Sequence, residues 1–388
     1  MPISKNIRTV LKVGVGGYSY TEVRNVISLP FKGVQFTRVH DVMSVLHGVV
    51  RRLWGPVRST SIVNCLHCDF GLNNVDLLHL YNTISCSRRP WFVTFEDYLP
   101  RWDVHSEFGM RYLAAKECKG IIAMSRFAFG HQVYHLGQFA AYKDDILGKM
   151  CTLHPSQEPL IGSYADKHLT NDVITFTFVG SDFFRKGGKE ILLAFKRLVD
   201  EHLPIKLNIV STLNYGDYAS RSTPEDYRSA RGLIRTLGNH VTHYETLPNA
   251  DVLKLLVASH VGLLPTYDDT YGFSVLEAQG AGCPVITTDV CALPEFNNND
   301  VGWLINVPHD EFGIAIRQTA EQRRNLSDSI QDGLYTIIKH ICSRPETLQS
   351  KGSNALQRII RECSPSDRAD TLYTLYRNAL YPNENHDL

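Results

Sequence analysis

Neither sign of charge is in excess in this chain: 40 Lys and Arg meet 40 Asp and Glu over 388 residues. A neutral balance without a basic stripe argues against a nucleic-acid partner. No uninterrupted apolar run reaches membrane-spanning length, and the opening MPISKNIRTVLKVGVGG has no apolar core of the signal-peptide kind. A disulfide framework is not indicated either. The nine cysteines are odd in number and irregularly spaced, which fits a reducing compartment and an expected cytoplasmic location. No GxxxxGK[ST] phosphate loop and no Asp-x-Asp metal dyad occur. Cys65-Leu66-His67-Cys68 is half of a zinc site without a second pair at matching spacing, so no metal is expected.

What is present is the composition expected of an ordinary soluble enzyme, with neither disorder nor fibrous bias. At ~100–200 residues per domain the length predicts two domains. We divide the chain into residues 1–165, residues 166–363 and a closing segment, 364–388. Charge is uneven across this division. Residues 1–165 carry 18 Lys and Arg against 12 Asp and Glu, and the remainder carries 22 against 28. A basic first half is suited to an anionic membrane surface or a phosphorylated substrate; ordinary variation between domains is the simpler reading.

Along the first half, short apolar runs alternate with helical spacing, which is the rhythm of a Rossmann-like domain. Strands are expected at Thr9–Val15, Val75–Tyr81, Trp91–Phe95 and Gly120–Met124, with a helix over Glu107–Lys119. Gly16 and Gly17 at the first strand's end admit close approach by a ligand, although the dinucleotide fingerprint is incomplete. Glu96 and Asp97 follow WFVTF, at a strand's carboxyl end where α/β sites lie. Val42, Val45, Leu46, Val49 and Leu53 recur at helical spacing, with Arg51, Arg52 and later Arg58 nearby. They predict a core-facing helix with a solvated basic end, membrane contact being the alternative. Gly162–Thr170 is polar and reads as a linker.

The pattern then restarts. VITFTFV leads into Gly180-Ser181-Asp182-Phe183-Phe184-Arg185-Lys186-Gly187-Gly188, a loop that opens a helix over Lys189–Asp200. Arg185 and Lys186 beside Gly187 supply mobile cations at a helix N-terminus, a recipe for holding a diphosphate. Further on, VGLLP and PVITT flank PTYDDTYGFSVLEAQGAGC, a strand–helix–strand unit. Gly272 opens its helix, with Phe273 and Ser274 in the first turn, where backbone N–H groups favour anionic oxygens. Asp269 lies in the loop and Glu277 follows eight positions later. Read alone, Asp269 is equally a helix cap and Glu277 a solvated side chain.

Together these two stretches resemble the second domain of retaining GT-B-fold glycosyltransferases of family 4 (glycosyl transferases group 1), over about Asp172–Val307. Ser364–Leu380 is similar to that family's terminal helix. The resemblance implies two Rossmann-like domains facing each other across a cleft, with the terminal helix crossing back to the first. It implies a nucleotide-diphospho-sugar donor, UDP- or GDP-linked, with no cofactor or metal, and transfer to a glycan or lipid-linked glycan. The family's E-x7-E motif falls on Asp269 and Glu277, so Asp replaces the first Glu. Glu277 would hold the donor ribose and Asp269 the transferred sugar. Gly272, Phe273, Ser274 and Gly187 would line the donor, and Lys186 with Arg185 would stabilise the diphosphate. The family's Arg position is Ser181 here, and Glu96 stands where many members have a His. These departures motivate one rival, a catalytically silent protein that binds nucleotide sugars; a second, on the same architecture, is an epimerase that converts donor without acceptor.

Overall fold

The computed structural model describes residues 10–103, 105–170, 172–216 and 218–382, and the chain in it forms two compact units. The first runs to Ser156 and is completed by a segment starting at Ser364; the second runs from Gln157 to Cys363. Residues 162–170, read from sequence as a linker, are built into the second unit. Lys167 is buried there, and its ammonium donates to the carbonyls of Leu256 and Ala281 at 3.2 and 2.7 Å. A polar composition hid this, because a long Lys stem can bury its length while its tip finds backbone oxygens.

The first unit is a parallel sheet of β1 (Leu11–Val15), β2 (Val34–Arg38), β3 (Leu77–Tyr81), β4 (Trp91–Phe95), β5 (Cys118–Ala123) and β6 (Met150–Thr152). Its order is β2-β1-β3-β4-β5-β6. Strands covered on both faces must be apolar throughout, and all five residues of WFVTF are buried. Thr9, the expected start of the first strand, lies outside the described residues. The helix expected over Glu107–Lys119 ends at Ala114, because β5 already begins at Cys118.

One helix departs from its expected orientation. The helix α1 (Val42–Trp54) forms as its spacing predicts, with Asp41 Oδ1 accepting from the Met43 N–H at 3.0 Å. Its apolar stripe does not face the core. Val45 is 69% exposed, Leu53 65% and Trp54 76%, and no residue of the helix is fully buried. Met43 reaches the core cluster from the other side.

The second unit is a parallel sheet of β7 (Ile174–Val179), β8 (Ile205–Val210), β9 (Val241–Tyr244), β10 (Val261–Leu264), β11 (Val285–Thr288) and β12 (Gly302–Ile305). The order β9-β8-β7-β10-β11-β12 is that of dinucleotide-binding sheets and reverses between β7 and β10. After β7 comes α2 (Gly188–Asp200), and after β10 comes α3 (Phe273–Gly280). Ligands of such sheets sit outside the carboxyl ends of the strands at the reversal. In the first unit the reversal lies between β1 and β3.

The returning helix α4 (Pro365–Leu380) packs into the first unit. Arg368 donates to the carbonyl oxygens of Asn25 and Leu153 at 2.9 and 2.8 Å, and to that of His154. Tyr376 is buried against Phe92, and its hydroxyl meets His79 Nδ1 while Thr94 meets the other ring nitrogen. Burial first, and then the Arg368 charge, lower the His79 pKa to about 3.

Candidate functional site

In the second unit the two loops at the reversal of the sheet lock into each other. Thr266 Oγ1 and the Tyr267 N–H both donate to the Arg185 carbonyl, at 3.1 and 2.9 Å. This approach depends on Gly187. Its φ is +80°, and a Cβ there would sit 2.1 Å from the Pro265 carbonyl oxygen. Gly187 is therefore the N-cap of α2 for a steric reason, as its place in the sequence suggested. At Gly180 a Cβ would lie 2.5 Å from Lys186 Cδ, so the lysine stem folds over it.

The Lys186 ammonium lies 3.2 Å from Asp269 Oδ2, with both side chains mostly buried, 17% and 13% exposed. Oδ2 makes no aligned hydrogen bond, so charge holds this pair. Oδ1 of the same carboxylate accepts from the N–H groups of Gly272 and Tyr271 at 2.9 and 3.3 Å. The capping reading of Asp269 thus holds, and the same carboxylate faces Lys186. Burial raises the Asp269 pKa, but Lys186 and then Arg185 outweigh it and hold the carboxyl below the ordinary range.

The structure reassigns Gly272. Its N–H, expected to face a donor oxygen, is taken by Asp269. Its φ of +80°, and the 2.9 Å approach a Cβ would make to Leu264 and Leu293, account for glycine instead. Phe273 and Ser274 occupy the first turn of α3, where N–H groups have no intrahelical acceptor. The Ser274 hydroxyl is buried and has no partner. Glu277 is buried on α3 a turn further on, and is not a solvated residue.

Arg185 is more committed than its sequence position implied. Its guanidinium grips Asp182 Oδ2 at 2.6 and 3.2 Å and donates to the Asp268 carbonyl. Asp268 itself was missed by sequence reasoning. Its carboxylate takes the Arg317 guanidinium at 2.6 Å and the Tyr218 hydroxyl at 2.5 Å. Two neighbouring aspartates therefore divide the work: Asp269 meets the helix start and Lys186, and Asp268 ties the loop to distant segments. A cavity of about 110 Å³ opens beside Arg185, lined by Asp182, Tyr215, Tyr218 and Ser222 among others.

In the first unit, Gly16 and Gly17 lie at the carboxyl end of β1, as expected, but the Gly17 N–H is taken from within the unit. Glu22 Oε1 accepts from the Gly17 N–H at 2.9 Å, and Oε2 from the Ser19 hydroxyl at 2.7 Å. Glu96, just beyond β4, is enclosed by the Tyr81 hydroxyl at 2.7 Å, the Asn82 amide at 3.0 Å and Arg101 at 3.3 Å. Asp97 pairs with His131 Nδ1 at 2.6 Å. The half zinc site stays scattered: His67 Nδ1 bonds the Ser85 hydroxyl, and Cys65 Sγ a backbone carbonyl. Among the described residues no group of three or more His, Cys, Asp or Glu is placed to hold a metal ion, and no helix is long and apolar enough to cross a membrane.

Residues 164–333 match the family model described as glycosyl transferases group 1, a stretch lying within the second unit. No curated protein matches the chain. Among solved structures, the chain is similar to a glycosyltransferase from Rickettsia africae ESF-5, at 14% identity and TM-score 0.57 over 95% of this chain and 90% of that one. It is similar to Anabaena Alr3699/HepE in complex with UDP, at 13% and 0.58 over 94% and 99%. A third likeness is WaaG, a glycosyltransferase involved in lipopolysaccharide biosynthesis, at 16% and 0.50 over 88% and 87%. These likenesses establish the fold: two parallel-sheet α/β units of the GT-B glycosyltransferase kind.

Proposed function

We propose that this protein is a retaining glycosyltransferase that moves a sugar from a UDP- or GDP-linked donor to a hydroxyl of a glycan or lipid-linked glycan, without a metal. The observation that carries the reading is the Lys186–Asp269 pair at the reversal of the second sheet, with Glu277 buried a turn into α3. The group 1 match over the same stretch supports it. In the structural neighbours, UDP accompanies HepE, and WaaG acts in lipopolysaccharide biosynthesis. The second likeness, with the basic first half, supports a role in cell-surface polysaccharide assembly (capsule, O-antigen or lipopolysaccharide) at the cytoplasmic membrane face.

In this reading, breaking the glycosidic bond leaves negative charge on the diphosphate. Lys186 would exchange Asp269 for a phosphate oxygen as that charge grows, and the N-termini of α2 and α3 would add their partial positive charge. Arg185 supports the same field while clamped to Asp182. Glu277 takes the ribose hydroxyls. Asp269, released from the lysine, faces the transferred sugar. The acceptor hydroxyl forms the new bond on the face the diphosphate leaves and passes its proton to a phosphate oxygen. The acceptor is assigned to the first unit, with Glu96 and Asp97 as orienting groups.

One observation favours the silent nucleotide-sugar-binding alternative: Asp269 is already engaged with two N–H groups and a lysine. A thermal-shift panel of UDP-, GDP- and ADP-sugars on the wild type and Lys186→Ala tests donor binding. A shift with one nucleotide class, diminished in the variant, is expected; no shift with any donor overturns the reading. Incubation with that donor, alone and with acceptor, then separates transfer from epimerisation and from binding only.

A further inference from the structure

Nine of the eighteen large hydrophobic side chains that stand exposed among the described residues fall between Val42 and Leu72. At 100° per residue, Val42, Val45, Leu46, Val49 and Leu53 lie along one side of α1, and each is at least 40% exposed. A surface helix normally turns such a stripe inward. Here the adjoining loop extends it: Phe70 is 78% and Leu72 75% exposed, and the Val42 N–H holds that loop through the Cys68 carbonyl at 2.9 Å. A groove of about 390 Å³ runs between them, with Arg38 and His40 in its lining alongside Asp41 and Asp69.

Charge identifies what covers this face. From Val42 to Cys68 the sequence contains no Asp or Glu, and it contains Arg51, Arg52 and Arg58. All three arginines are exposed, and none is paired with a carboxylate among the described residues. The acids that border the segment are turned to local duties: Asp41 caps α1, and Asp69 is buried against Asn73. An apolar stripe flanked by cations, with Trp54 at its end, matches a helix lying in the plane of an anionic bilayer. A second copy of this chain would bring the same unpaired arginines against each other.

We infer that α1 and the Phe70–Leu72 loop form a docking surface for an anionic membrane. The helix springs from the carboxyl edge of the first sheet, where Val39 donates to the Val15 carbonyl, so an acceptor carried by a lipid would be presented at that edge. The inference deepens the proposed acceptor reading. Its test needs no sugar transfer, so failure of one leaves the other standing.

Flotation of the full chain with vesicles of phosphatidylcholine, with and without phosphatidylglycerol, reads the surface directly. Wild type is expected to float with the anionic vesicles, less so as salt is raised, and not with the neutral ones. Leu53→Ser/Trp54→Ser should weaken binding about tenfold or more, as expected from removing two large inserted side chains. Arg51→Glu/Arg52→Glu should abolish the preference for anionic lipid. All four positions are exposed, and an unchanged thermal melt confirms folding. Trp54 emission should shift to the blue on binding, a change lost in Trp54→Phe. Wild type that stays unbound, or variants that float as well as it does, would overturn the inference. So would a lipid-free dimer in sedimentation that Leu53→Ser/Trp54→Ser dissociates.

Discussion

The two parallel sheets present the same kind of edge and treat it differently. In the first unit Glu22 accepts from Gly17 and Ser19, and Glu96 holds Tyr81, Asn82 and Arg101, while His67 Nε2 and the Asn25 amide are buried without a partner. In the second unit the edge keeps groups that a ligand could recruit. Lys186 and Asp269 meet through charge without an aligned hydrogen bond, and the Ser274 hydroxyl is buried without a partner. A buried polar group left unmatched costs about 1–3 kcal/mol. An edge built this way is stabilised by whatever molecule completes it. One scaffold therefore closes its two edges differently, according to which side chains meet at the loops.

The sharpest way to break that comparison is Lys186→Ala. With the fold intact, the transfer rate should fall by about 10²–10³-fold, as when a single stabilising donor is removed from a charge-developing site. A rate within a few-fold of wild type, followed by nucleotide release, would contradict the role proposed for Lys186. Gly187→Ala comes next. A Cβ 2.1 Å from the Pro265 oxygen at positive φ should cost about 2–4 kcal/mol in chemical denaturation. An unchanged midpoint would mean that the loops do not depend on this contact.

Asp269→Asn should keep the cap and lose the charge, destabilising by about 1–3 kcal/mol near neutral pH. Because the folded carboxyl titrates below its ordinary value of 3.8, this contribution is full above that value and is lost as the pH falls through the lower folded one. Wild type and variant should therefore converge on acidification, and parallel stability profiles would contradict the pairing. His79 sharpens the first unit. Its pKa falls from 6.5 to about 3 on folding, so the unfolded chain binds the extra proton between those values. Stability should then decline as the pH drops below about 6.5, by at most about 1.4 kcal/mol per unit from this group. His79→Gln should remove that share of the slope. The smallest effect belongs to Glu22→Gln, which should change stability by about 1 kcal/mol or less and leave donor binding untouched.

How much of this could be read in the chain beforehand depends on distance. The alternation of apolar runs specifies two parallel sheets, and Gly187 and Gly272 mark turns that only glycine makes easily. The spacing of Asp269 and Glu277 gains meaning only through the family resemblance, since alone it fits a cap and a solvated side chain equally well. Asp268 shows where such reading stops. Its partners Arg317 and Tyr218 lie 49 and 50 residues away, and no local pattern separates it from the neighbouring aspartate. The same holds for α1. Periodicity states which side chains share a face, and Val45, Leu46, Val49 and Leu53 do share one. What lies opposite that face is a tertiary fact, and here no part of the core does. Lys167 was misplaced for the converse reason, since its carbonyl partners come from segments about ninety residues and more away.

The return of α4 to the first sheet bears on how the protein is made. Residues 157–363 are contiguous, so the second unit holds all its strands once that stretch has left the ribosome. The first unit has its six strands far earlier, yet Tyr376 and Arg368, which fill its core and bind Asn25 and Leu153, arrive only with the later helix. Synthesis order and completion order are thus reversed. The half translated first waits with an uncovered apolar face while the half translated second finishes, which makes that interval the one in which a chaperone would matter most.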